Sequence, residues 1–198
     1  HNICEEIFDE NQKMAIISGP SFAIEVAQNK PTAVTIASKN KAFSKYLASN
    51  ISDLSFRAYT SHDITGVEIG GAIKNVLAIG AGISDGLNYG DNSRIALINR
   101  GLAEMQRLGV ALGADNNTFL GLAGMGDLVL TCTSNLSRNR RFGLAIAKGK
   151  TISEAKLEIN QVIEGITATA AIHNLSKKMQ IDMPICATIN NILFNGLN

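Results

Sequence analysis

Charge of one sign is what this sequence most plainly lacks: 18 lysines and arginines stand against 17 aspartates and glutamates, for a formal net charge of +1. Without a general basic field, nucleic acid is excluded as the expected partner. Cysteine is scarce as well. Cys4, Cys132 and Cys186 are odd in number, far apart and without a C-x-x-C spacing, which argues against a disulfide framework and suits a reducing compartment. The three histidines, His1, His62 and His173, form no i, i+4 pair and adjoin no cysteine cluster, so no structural or catalytic zinc is expected. The longest apolar run is broken by a lysine and many glycines and makes a poor membrane span. Low-complexity tracts are absent. With 45% hydrophobic and 18% charged residues over 198 positions, the composition is that of a globular chain able to bury a sizeable core.

The first 60 residues also lack a G-x-G-x-x-G after a strand, and no acidic residue follows at the distance that a ribose-binding carboxylate would need. What they hold is alternation. Residues 14–18 (MAIIS) read as a short strand closed by Gly19 and Pro20, with Ser21 placed to cap a helix over FAIEVAQN. A β-branched run from Pro31, a helical KAFSKYLASN and a strand in SFRAYT follow. This predicts part of an α/β layer with parallel strands. After about residue 62 helical periodicity replaces the strands, which places a domain boundary there. The expected fold is therefore an α/β remnant over 1–61 followed by an all-α domain over 62–198.

Within the helical part, Val67 to Gly86 is almost wholly apolar or small and belongs inside the domain. Lys74 interrupts it, with Gly70, Gly71 and Ala78 one turn away, and the spacing predicts a groove of small residues with room for a small molecule. A lysine snorkelling to water along an apolar face is the equal alternative. Gly80, Gly82 and Gly86 spell a near-dinucleotide pattern, rejected because no βαβ unit surrounds them. Asp91 or Asn92 is placed to cap a long helix ending near Gly113. Later helices are expected after Ser137 with Gly149 as terminator, from Ser153, over Thr167 to Met179, and from Pro184. Gly121, Gly124 and Gly126 read as a tight turn needing positive φ, after which Asp127 either caps a helix or orients a charged group.

Residues 137–141, Ser-Arg-Asn-Arg-Arg, form the strongest local signal. Three arginines would stand at the positive end of a helix, where cations are disfavoured and an anion gains free backbone N–H donors. A phosphate is the preferred reading, with pairing to acidic residues elsewhere and a solvated face as alternatives.

GPSFAIEVA (19–27), GVEIGGAIKNVLAIGAGISDGL (66–87), RGLAEMQRLG (100–109) and GLAGMGDLVLTCTSNLSRNRRFG (121–143) together closely resemble bacterial NAD(P)-dependent glycerol-3-phosphate dehydrogenases. The resemblance implies a Rossmann-type domain followed by a helical domain like that of 6-phosphogluconate dehydrogenase-like enzymes. It implies hydride transfer between sn-glycerol 3-phosphate and dihydroxyacetone phosphate with NAD or NADP, supplying phospholipid synthesis in the cytoplasm. Lys74 then matches the proton-transfer lysine, a role that suits an amine whose pKa is lowered by burial or neighbouring cations. Asn75, Asp127, Thr131, Ser137, Arg138 and Asn139, with Gly19 and Ser21, match substrate positions. Ala23, Arg138, Val162 and Glu164 match cofactor contacts, no metal is implied, and a homodimer is left open. Two departures accompany the match. The glycine-rich half and its further substrate lysine are absent, which implies a fragment inactive alone, and Ile24 stands where relatives carry lysine. A phosphate-binding or dimerisation module without redox activity is the alternative.

Overall fold

The computed structural model describes residues 1–8 and 12–196. A short helix α1 (Asn2–Ile7) is followed by strands β1 (Ile16–Ser18), β2 (Thr32–Ala37) and β3 (Phe56–Ser61), with helix α2 (Ala23–Ala27) and helix α3 (Lys41–Ile51) between them. The strands lie in the order β1-β2-β3. Strands β2 and β3 pair in parallel, Thr32 opposite Phe56, but β1 runs antiparallel to β2, Ile16 opposite Ala37. The expectation of parallel strands thus fails for β1, for a reason of length. Five residues of α2 rise only about 7.5 Å, whereas the eleven of α3 rise about 16 Å and can carry the chain back to the start of a parallel neighbour.

Among the described residues every regular element after Ser61 is helical: α4 (Ile64–Gly86), α5 (Gly90–Ala111), α6 (Asp127–Thr133), α7 (Arg138–Ala147), α8 (Ile152–Ile159), α9 (Glu164–Met179) and α10 (Pro184–Phe194), with two short turns of 3-10 and π type before α6. Helix α4 is the axis of this part. Val67, Ile73, Val76, Leu77 and Ile79 are wholly buried in it, and Asp63 caps it by accepting the Gly66 N–H at 2.8 Å. By length and composition alone α4 could cross a membrane, but 72% of its apolar window is buried inside the protein, so its hydrophobicity is spent on packing. Helix α7 crosses it closely. A Cβ on Gly82 would lie 2.1 Å from the Arg140 carbonyl oxygen, and one on Gly143 would lie 2.1 Å from that of Ile79. Of the three glycines that mimicked a dinucleotide pattern, Gly82 therefore lets two backbones touch, while Gly80 makes room for the Ile189 side chain and Gly86 for that of Ala147.

Several local expectations are corrected. Ser21 does not cap α2; its hydroxyl turns back to the Gly19 carbonyl at 3.2 Å, and Phe22 occupies the cap position. Neither Asp91 nor Asn92 caps α5, which opens after Tyr89. Helix α8 begins with a capping box built on Thr151 and Glu154 rather than at Ser153. Helix α9 starts at Glu164, three residues before Thr167. Gly113 and Gly149 follow their helices at positive φ, +89° and +82°, as C-terminal glycines do.

Candidate active site

Lys74 projects from the middle of α4, and its ammonium forms an ion pair with the carboxylate of Asp127. The residue before α6 decides that placement. Leu122–Gly126 wind into a single π turn that runs directly into α6, so Asp127 becomes the first residue of the helix and is 3% exposed. Gly121, Gly124 and Gly126 all keep negative φ, which corrects the expected positive-φ turn. Gly124 is required for space instead, since a Cβ there would meet the Phe119 carbonyl oxygen at 2.2 Å. A Cβ on Gly70 would lie 2.4 Å from the Ala123 carbonyl oxygen. The backbone of the π turn thus fills space beside Lys74 that the sequence suggested was open.

The choice left for Asp127 is resolved: its side chain caps nothing and orients a charged group. Lys74 does not snorkel to water but meets this carboxylate, so the charge facing it is an anion and not the neighbouring cation that was one of the two alternatives. Burial pushes the Asp127 pKa up, while the Lys74 charge, the Thr131 hydroxyl and the Gly19 N–H favour the ionised form. Thr131 Oγ1 donates to the Asp127 carbonyl at 2.6 Å and lies 3.3 Å from Oδ1. Gly19 has φ of +148°, and a Cβ there would lie 3.0 Å from the Val34 Cα. Only glycine brings its N–H to the carboxylate in this conformation without strain.

Beside Lys74 a buried amide network begins. Asn75 Nδ2 donates to the Glu164 carboxylate at 3.2 Å, Asn139 Nδ2 donates to Asn75 Oδ1 at 2.8 Å, and the Gly165 N–H donates to Asn139 Oδ1 at 2.9 Å. Helices α4, α7 and α9 meet there. Ser137, 3% exposed, caps α7 by accepting the Arg140 N–H at 3.2 Å. The N–H groups of Arg138 and Asn139 precede the first intrahelical bond and stay available to an anion.

The three arginines do not share one fate, which revises the expectation that a ligand anion offsets them together. Arg140 is buried and donates from Nε and Nη2 to Asp85 at 3.0 and 2.6 Å. The pairing alternative holds for it. Arg138 remains 40% exposed, with only a 3.9 Å approach to Glu164, itself 62% exposed. Arg141 is exposed.

Of the predicted residues, Lys74, Asp127, Thr131 and Gly19 form one bonded group and Asn75, Asn139, Glu164 and Arg138 a second, the two joined by the adjacency of Lys74 and Asn75 in the chain, with Ser137 capping α7 next to Arg138. Ser21 touches the first group only through its bond to Gly19. Ala23 and Val162 are exposed and make no hydrogen-bonded link to either group. Sequence reasoning missed Gly165 and Asp85. An Asp-Gly helix end facing an arginine three helices later carries no local signal, whereas the Glu164-Gly165 pair opening a helix could have been read as an anchor.

The family described as NAD-dependent glycerol-3-phosphate dehydrogenase C-terminus matches residues 63–198, and its N-terminus counterpart matches residues 1–44. The glycerol-3-phosphate dehydrogenase [NAD(P)+] of Tolumonas auensis is 52% identical over 196 residues, 98% of this chain and 59% of that protein. That of Aeromonas hydrophila is 52% identical over 198 residues, covering 100% of this chain and 59% of the relative. A crystal structure of glycerol-3-phosphate dehydrogenase from Coxiella burnetii superposes with a TM-score of 0.91 at 52% identity, over 93% of this chain and 57% of that one. The chain thus spans a little under three-fifths of the length of the relatives it matches. It belongs to the NAD-dependent glycerol-3-phosphate dehydrogenase family.

Proposed function

We propose that the full-length protein containing these residues interconverts sn-glycerol 3-phosphate and dihydroxyacetone phosphate with NAD or NADP. Residues 62–198 act as the substrate-binding helical domain, and residues 1–61 as the end of a Rossmann-type nucleotide-binding domain. One observation carries the reading: the Lys74–Asp127 ion pair stands next in sequence to the Asn75–Asn139 bond that leads to the start of α7. A proton-transfer group and an anion-binding helix end are thereby held on adjoining residues. The same chemistry is what the names of the relatives describe.

Each side chain has a separable task. The N–H groups at the start of α7 and the exposed Arg138 guanidinium receive the phosphate. Lys74 accepts the hydroxyl proton in the direction of oxidation and returns it in reduction. Asp127 holds the amine in place. Arg138, weakly engaged by Glu164, has donors free for an anionic cofactor, so the residues present fit the rim of a nicotinamide site. Bound NAD or NADP would supply the hydride acceptor. The pyrophosphate cradle has no counterpart in these residues, so the 198-residue chain alone is expected to turn over no substrate. The expected setting is the cytoplasm, with small phosphorylated substrates and no nucleic acid.

The test is reduction of NAD or NADP by the purified full-length protein with glycerol 3-phosphate, set against unphosphorylated glycerol. Arg138→Ala lowers kcat/KM for the phosphorylated substrate far more than for glycerol. Equal losses on both would remove Arg138 from phosphate recognition.

A further inference from the structure

The helix end assigned to the phosphate carries a second buried device that none of the site residues explains. Asp85, 8% exposed at its side chain, lies at the last turn of α4 and accepts from Arg140 Nε and Nη2. Arg94 Nη1 reaches the other carboxylate oxygen at 2.8 Å. The remaining arm of Arg140, Nη1, donates to Asn135 Oδ1 at 2.6 Å, so the guanidinium is held from two sides. The backbone N–H of this same Arg140 is the one that Ser137 caps.

The arrangement is mechanically one-sided. Gly82 and Gly143 bring the α4 and α7 backbones into contact, which fixes how closely the helices approach. A glycine contact carries no directional bond and leaves sliding along the contact weakly resisted. Two fixed points resist it: the Asn75–Asn139 bond beside Lys74, and the Asp85–Arg140 pair ten residues further along α4. At about 1.5 Å rise per residue these lie roughly 15 Å apart on α4, a lever long enough to define both position and tilt. Buried ion pairs of this kind contribute little net stability against apolar replacements, because desolvation offsets their attraction. Geometry is what they supply, and two guanidinium donors converging on one carboxylate oxygen, Asp85 Oδ2, supply it more sharply than a point charge.

We propose that Asp85, acting through Arg140, is a positioning residue for glycerol 3-phosphate: it sets the register of the α7 N-terminus against the helix that carries Lys74. This rests on the reading of the α7 start as the phosphate site. The pair aligns the donors of Arg138 and Asn139 with the amine, so that one substrate spans both.

The experiment uses the full-length enzyme carrying Asp85→Asn, which keeps the shape and removes the charge. KM for glycerol 3-phosphate is expected to rise by about 10-fold or more, the scale that a misplacement of an ångström produces. The inhibition constant of inorganic phosphate rises with it, while KM for the nicotinamide cofactor rises by a smaller factor, because Arg138 is the one displaced residue that also reaches the cofactor rim. A merely structural role would lower Tm and leave both phosphate constants unchanged, and that result overturns the proposal. Asn135→Ala, at the exposed end of the same guanidinium, gives a smaller shift in the same direction and keeps the question answerable if Asp85→Asn does not fold; unchanged constants there also count against it. Ser137→Ala and Arg138→Ala separate the two levels. If they raise the phosphate constants and Asp85→Asn does not, only the positioning role fails. If neither raises them, the phosphate assignment itself fails.

Discussion

Asn139 and Asn75 meet side chain to side chain, the Nδ2 of Asn139 donating to the Oδ1 of Asn75 at 2.8 Å, and each is 6% exposed. Asn139 also accepts the Gly165 N–H, and Asn75 donates to the Gly71 carbonyl at 3.1 Å. An amide can do this because it carries donors and an acceptor on one planar group. The anion-binding end of α7, the lysine helix and the start of α9 are consequently joined through one satisfied buried network. Loosening any part of it disturbs stability and site geometry together.

Asn139→Ala is expected to destabilise the protein by about 1–3 kcal/mol for each partner left unpaired, namely the Gly165 N–H and the Asn75 carbonyl oxygen. Urea unfolding measures it. A midpoint equal to that of the parent would mean that water replaces the amide at no cost and that the network does not define the site.

Lys74→Ala should lower kcat of the full-length enzyme by roughly 10²- to 10⁴-fold if the amine moves the proton. Lys74→Arg separates proton transfer from charge. Arginine can still pair with Asp127, so folding is retained, but it does not release a proton near neutral pH and activity is not restored. Full activity in Lys74→Arg would reduce Lys74 to a charge that holds the substrate.

Gly143→Ala places a methyl 2.1 Å from the Ile79 carbonyl oxygen and 2.9 Å from the Ile83 nitrogen. Both are backbone atoms of the central helix, which cannot step aside as a side-chain tip would. A loss of about 1–3 kcal/mol or more is expected from such overpacking. Gly121→Ala is the control, because its nearest neighbour would be the Thr118 carbonyl oxygen at 3.4 Å and its φ is −90°. It should change stability by less than about 1 kcal/mol. Equal effects at the two glycines would contradict the close crossing.

The helices and strands were legible because their periods and punctuation are local. Strand Thr32–Ala37, helix Lys41–Ile51 and the Pro184 helix follow from a few adjacent residues each. The site was legible in part for another reason: Lys74, Asp127 and Asn139 lie in long blocks that resemble one family. What could not be read were relations between distant residues of opposite character. The sequence shows three arginines in a row but not that Asp85, 55 residues earlier, takes Arg140 out of the ligand's reach. It shows small residues around Lys74 but not that a carbonyl from the π turn packs against Gly70. The antiparallel β1 was hidden similarly, because strand direction depends on where the connection ends rather than on the strand's own alternation.

Asp127→Asn tests whether function is maintained against stability at this site. The folded-state pKa of Asp127 is raised above its ordinary carboxylate value, mainly by burial. A raised pKa means that the fold favours the protonated form, so the stability linked to this group is fully present below the unfolded pKa and is lost as pH rises through the folded one. Asparagine does not titrate and loses nothing over that range. The Tm of Asp127→Asn relative to the parent should therefore climb from acid toward neutral pH, at about 2–4 °C for each kcal/mol in a chain of this size. Asp53, Glu154 and Glu158, whose pKa values are held down by hydrogen bonds at the surface, are common to both proteins and cancel in the difference. Activity should fall at every pH, since the amine of Lys74 loses the carboxylate that orients it. A Tm difference that stays flat with pH, or that narrows toward neutrality, would show that the Lys74 charge outweighs burial and that Asp127 contributes to stability as an ion.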